Sequence, residues 1–142
     1  MEAIPSFDRA IGIDPLNGDA WLQRGLSLVA MKRPREAVPC FERAVAINPN
    51  NGEAWLHRGL QLLALGQAEK AITCLERATG ISPRSSEAWQ GRGEALARVG
   101  LYKDSLMALD RSLRLTSPTD RPRLQILVDL IDRIQRQAVG RR

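Results

Sequence analysis

The chain has 142 residues, 44% hydrophobic and 26% charged, with a net charge of +5 and an isoelectric point near 10.0. Those proportions suit one soluble globular or solenoid domain with a continuous core; no run of about 18 apolar residues is present to span a bilayer. The positive balance leaves nucleic acid or an anionic membrane open, but Arg and Lys alternate with Glu and Asp and form no long basic run, so neither is expected as a partner.

Residues 2–15, EAIPSFDRAIGIDP, match residues 36–49, EAVPCFERAVAINP, at eight of 14 positions. The chain therefore opens on the second half of a repeating unit, and 1–16 are read as the second helix of a truncated repeat. Ile4, Phe7 and Ile11 form its inner face, which lacks the usual preceding helix. Two explanations stand, a piece of a longer array, which is favoured, or another molecule covering that face. Pro5 and Pro39 fall near the starts of second helices, where an amide hydrogen has no intrahelical acceptor.

Residues 17–50 form the first full unit, with helices expected at 18–31 and 35–47 and Lys32 in place of a turn glycine. Residues 51–84 form the second, with helices at 52–65 and 68–81. The two agree at 17 of 34 positions, including Trp21 with Trp55, Gly25 with Gly59 and Ala37 with Ala71. Asn17-Gly18 and Asn51-Gly52 resemble hairpin turns, but their flanks have helical periodicity, so they are inter-helix turns. Small residues at Gly59, Ala71 and Ala78 let antiparallel helices approach, with Trp55 and Leu75 filling the remaining space.

Residues 85–118 keep Trp89, Gly93, Leu96, Gly100, Tyr102 and Leu109, with Ser105 and Ser112 at the small positions, and form a degenerate third unit. Residues 119–142 supply a capping helix near 119–138 and a basic tail. Leu124, Leu127, Val128, Ile131 and Ile134 are its expected inward stripe; Arg121, Gln125, Asp129, Asp132 and Arg136 face water, and Ile126 and Leu130 widen the apolar arc.

A period of 34 residues signals stacked repeats, and the spacing W-x3-G-x2-L, then A-x3-F/L-x2-A and a late Pro, resembles the tetratricopeptide repeat (TPR). Trp55, Gly59, Ala71, Ala78 and Pro83 occupy its signature positions, and Leu62 and Leu75 replace its usual aromatics. Arg24, Arg58 and Arg92 stand where the family pattern has Leu, a form the resemblance links to bacterial members. Over residues 2–118 the likeness implies an all-α, right-handed superhelical solenoid of antiparallel helix pairs, about eight helices in all.

Catalytic parts are scarce. His57 is the only histidine, no Cys/His cluster has metal-ligand spacing, and no glycine-rich phosphate loop follows a strand, so neither enzyme activity nor a cofactor is expected. Cys40 and Cys74 lie one repeat apart with a helix between them, too far to pair, and free thiols suit a reducing, cytoplasmic location. The dipeptides Asp8-Arg9, Glu42-Arg43, Glu76-Arg77 and Asp110-Arg111 are expected to form exposed ion pairs between neighbouring repeats.

In the TPR family the first helices line the concave face. The resemblance therefore selects Asp19, Leu22, Gln23, Leu26 and Val29, then Glu53, Leu56, His57, Leu60 and Leu63, then Glu87, Gln90, Gly91, Glu94 and Ala97. It implies a leucine-rich floor rimmed by acids, suited to a protein or peptide segment with an apolar face and flanking basic residues. The alternative is that these leucines only pack first helices together. The family's clamp for a C-terminal carboxylate uses Lys, Asn and Arg, and Leu22, Leu26, His57, Glu87 and Gly91 replace them here. The expected function is a non-enzymatic scaffold binding a partner in this groove. The competing one is a structural or self-assembly module, a homo-oligomer formed through the N-terminal face and the capping helix.

Overall fold

Three side chains start the first helices of the full repeats: Asn17, Asn51 and Ser85 each accept a hydrogen bond from the backbone N–H three residues on. The architecture comes from a computed structural model that describes residues 3–140, with side chains from residue 7 onward. Its described residues form eight α-helices and no strand: α1 (Ala3–Ile13), α2 (Gly18–Ala30), α3 (Pro34–Ile47), α4 (Gly52–Ala64), α5 (Ala68–Ile81), α6 (Ser86–Arg98), α7 (Tyr102–Leu115) and α8 (Arg121–Gly140). The side chain of Ile4 and residues Arg141 and Arg142 lie outside the described residues.

Each helix pair closes through the same reversal. After α2, α4 and α6 the chain passes through a left-handed residue, Lys32 (φ 57°), Gly66 (φ 79°) or Gly100 (φ 84°). The next amide then reaches back into the helix, as Arg33 N–H does to Leu28 O and Gln67 N–H to Leu62 O, both 2.9 Å. This is a C-terminal cap that glycine adopts without a Cβ clash. Lys32 adopts it against its steric preference.

The paired helices meet at a glycine. A Cβ at Gly25 would lie 2.6 Å from Phe41, at Gly59 2.6 Å from Leu75, and at Gly93 2.6 Å from Leu109. Phe41, Leu75 and Leu109 are fully buried, so the large side chain of each second helix fills the gap its glycine leaves. Ser105 and Ser112, also fully buried, donate to Gly93 O (2.6 Å) and Ser86 O (2.7 Å). Their hydroxyls are thereby satisfied inside the core.

Consecutive helices stack against one another along the whole chain, which makes an all-α solenoid. In addition α2 approaches α4 and α4 approaches α6, whereas no second helix meets the next to that extent. First helices therefore lie on the inside of the curve and second helices splay on the outside.

Two sequence expectations need correction. Pro39 is the sixth residue of α3, beyond the first turn, so it removes a helical hydrogen bond to Arg35 O; the helix continues because its neighbours hold it in the core. In α8 Leu130 is buried with Leu127 and Ile134, while Val128 is 42% exposed. A narrow seam at 127, 130, 131 and 134 meets Leu109 and Leu113 of α7, and a residue one position from it is carried about 100° round the helix.

Candidate functional site

The inner face is built from α2, α4 and α6, each presenting one exposed acid in its first turn: Asp19, Glu53 and Glu87. Deeper along the face the exposed or half-buried groups are Gln23, Leu26, Val29, His57, Leu60, Gln90, Glu94 and Ala97. Gln90 Nε2 donates to Glu94 Oε1 at 3.0 Å, which fixes both side chains on one turn of α6. His57 stacks on buried Phe41 (centroids 5.8 Å apart) with Nε2 4.0 Å from Glu53 Oε1, so its ring is anchored in the core and only its edge reaches the groove.

The expected leucine floor is mostly core. Leu22, Leu56 and Leu63 are buried, at 5%, 9% and 4% exposure, and Gly91 is buried beside them. Leu60 leans toward α6, where a Cβ on Gly91 would come within 2.9 Å of its Cδ2. These positions serve first-helix packing because the inside of the curve is the short side, where adjacent first helices close over any side chain that points between them. Leu26, Val29 and Leu60 remain as partial apolar contacts among acids and amides.

The sequence reading did not include α8 in this wall. Glu94, Ala97 and Arg98 face Leu130, Arg133 and Gln137 across a cleft of about 460 Å³ at the C-terminal end of the inner face. Arg98 Nη1 donates to Leu63 O at 2.9 Å, tying α6 to the end of α4.

On the outside a different arrangement recurs. The indole N–H groups of Trp21, Trp55 and Trp89 donate to Pro15, Pro49 and Pro83 carbonyls at 2.8–2.9 Å. Two guanidiniums flank each ring: Arg24 and Arg43 on Trp21, Arg58 and Arg77 on Trp55, Arg92 and Arg111 on Trp89, all within 6 Å of the centroid. This accounts for the arginine after each tryptophan and for the arginine of each acid-Arg dipeptide. The acids partly follow expectation. Asp8 pairs with Arg24 (3.1 Å) and Glu42 with Arg58 (3.5 Å) across repeats, but Arg92 donates to Thr79 and Asp110 pairs with Arg114 within α7. The repeated Pro-x5-Trp spacing carried the information.

Cys40 and Cys74 are free and buried. Burial pushes both thiols above their ordinary range, opposed by the nearby charges of Arg24 and Arg58 respectively. Among the described residues no group of three or more His, Cys, Asp or Glu side chains is placed to hold a metal, and no helix is long and apolar enough to cross a membrane.

Residues 28–95 match a family model described as "Tetratricopeptide repeat". Among solved structures, MamA superposes with a TM-score of 0.74 at 24% identity, over 80% of this chain and 62% of its own. YrrB, described as a TPR protein with an unusual peptide-binding site, gives 0.72 at 26% identity, over 80% of this chain and 58% of its own. A MamA RS-1 double mutant gives 0.77 at 18% identity over 96% of this chain and 85% of its own. The chain thus spans about three fifths of the first two structures. No curated protein sequence matches it.

Proposed function

Because residues 28–95 belong to the tetratricopeptide repeat family, we propose that the chain is a non-enzymatic scaffold that holds a basic segment of a partner protein against its inner face. The observation that carries this reading is the charge of that face. Asp19, Glu53 and Glu87 repeat at one helical position on α2, α4 and α6 and Glu94 extends the row, while the cations of this wall, Arg98 and Arg133, stand at its C-terminal end. A segment laid across the three helices meets an acid at each, with Leu26, Val29 and Leu60 as partial apolar contacts between. Exposed acids steer and orient such a ligand, and reversing two of them replaces attraction by repulsion, which lowers affinity as well as the association rate. The description of YrrB as having a peptide-binding site supports a peptide as the ligand class.

A labelled peptide of leucines flanked by lysines tests this by fluorescence anisotropy. Binding should weaken about tenfold in the double variant Glu53→Lys, Glu87→Lys, whose positions are exposed and leave the fold intact. Equal binding by that variant, or equal binding of the same peptide with glutamates, refutes the reading.

A second reading, self-assembly through the N-terminal face and the capping helix, rests on Phe7 and Ile11, half-buried on α1, with Ile13 and Leu16 81% and 71% exposed beside them, and on Ile126 and Val128, 57% and 42% exposed on α8. Two different patches meeting head to tail would give open assemblies rather than closed dimers. A mass that stays monomeric across concentration in sedimentation rules it out.

A further inference from the structure

The splaying of the second helices opens two clefts on the outer face, at equivalent places in successive repeats. One lies between α3 and α5 above α4, with a volume of about 680 Å³. The other lies between α5 and α7 above α6, with about 430 Å³. Their floors correspond: Trp55, Arg58 and Leu62 in the first stand where Trp89, Arg92 and Leu96 stand in the second. Both fall within the size range of ligand-holding clefts.

Their charges do not correspond. In the first cleft Arg35 from α3 and Lys70 from α5 occupy facing walls, both exposed, and neither makes an ion pair or hydrogen bond among the described residues. Its acid, Glu42, is held by Arg58 at 3.5 Å. In the second cleft Asp104 replaces Lys70 and Glu76 is present, so two acids balance Arg92 and Arg111. Equivalent helix positions thus yield one cleft with two unsatisfied cations over an aromatic and aliphatic surface, and one that is neutral.

We infer that the α3–α5 cleft is a second docking site, for an acidic peptide segment that carries an apolar side chain between its acids. Carboxylates on the segment meet Arg35 and Lys70, Arg through a planar fork that matches a carboxylate with two hydrogen bonds. The apolar side chain rests on Val38, Pro39, Trp55 and Leu65 between those walls. The site is on the opposite side of the solenoid from the inner acidic stripe and has the opposite charge. The scaffold accordingly holds two segments at once, a basic one inside and an acidic one outside, and this inference stands whether or not the inner face binds.

The three indoles report on it, since each has its own N–H resonance and Trp55 alone lines the first cleft among them. Isotope-labelled protein is titrated with a short peptide of glutamates around a central leucine. The Trp55 indole and the amides near Arg35 and Lys70 should move, while Trp21 stays fixed. Arg35→Glu with Lys70→Glu should weaken binding about tenfold while leaving the circular dichroism unchanged, and Asp104→Lys should bring the Trp89 resonance into the response. Shifts confined to inner-face residues such as Gln23 and Gln90, or affinity indifferent to the Arg35 and Lys70 reversals, overturn the inference. So does an oligothymidine strand that moves Trp55 where the peptide does not, which would assign the cations to nucleic acid.

Discussion

Gly59→Ala adds a single methyl group where α4 meets α5, and its effect follows from distances. The new Cβ would lie 2.6 Å from Leu75 Cγ, 3.0 Å from Leu75 Cδ2 and 3.2 Å from Cys74 Cβ. Carbon atoms pack at about 3.5–4.0 Å, and Leu75 at 0% exposure has no free space to retreat into. Overpacking of this kind costs about 3 kcal/mol at the upper end. Alanine returns about 1 kcal/mol of helix propensity, leaving a net loss of about 2 kcal/mol. With an unfolding entropy of about 2.1 cal/mol/K per residue, that lowers the thermal midpoint by about 7 °C. Gly80→Ala in α5 is the internal control, because nothing lies within 4 Å of its Cβ. It should stabilise by about 0.5 kcal/mol. Urea unfolding followed by circular dichroism at 222 nm reads both. A further variant, Gly59→Ala with Leu75→Ala, should lose less stability than the sum of its parts, because the second change removes the atoms that clash. If Gly59→Ala alone matches or exceeds the parent midpoint, the helices of a pair are not held at the spacing that the glycine sets.

Lys32→Gly should stabilise the protein by about 0.5–1 kcal/mol, since relief of a left-handed backbone at φ 57° outweighs the added freedom of the unfolded chain; a urea midpoint that falls refutes this. Cys40 and Cys74 should resist Ellman's reagent in the native state at neutral pH and both react after denaturation. Their raised pKa means that their stabilising contribution is full below about 8.5, the unfolded thiol value, and is lost as pH rises through the higher folded value. Rapid native reaction at pH 7 would show that the thiols are not in the core.

Most of the helical frame was legible because a 34-residue period repeats local causes. Asn17-Gly18 and Asn51-Gly52 read as inter-helix turns because helical periodicity flanks them; the structure added that Asn17, Asn51 and Ser85 cap the helices that follow and that Gly66 and Gly100 end helices in a left-handed conformation. The glycine and large apolar residue of each pair also reveal themselves, since Gly25 with Phe41, Gly59 with Leu75 and Gly93 with Leu109 recur at a fixed separation. The outer ladder was half legible. The acid-Arg dipeptides stood out by position, but Arg43, Arg77 and Arg111 turned out to lie over tryptophans in the same repeat, a partnership that crosses two helices and has no local mark.

By itself the sequence placed the helices of the two full repeats to within a residue or so, marked Gly59, Ala71, Ala78 and Leu75 as positions where paired helices meet, and showed that three acids recur on one face. These follow from interactions within a repeat or from its periodic copying. What only the tertiary structure decided was exposure between repeats. The curvature of the solenoid closes first helices over Leu22, Leu56 and Leu63 and spreads second helices apart beside Arg35 and Lys70. Helical periodicity assigns a side chain to a face of its own helix. Whether that face is covered depends on the angle at which the next repeat stacks, which is set by packing summed over many residues of both units.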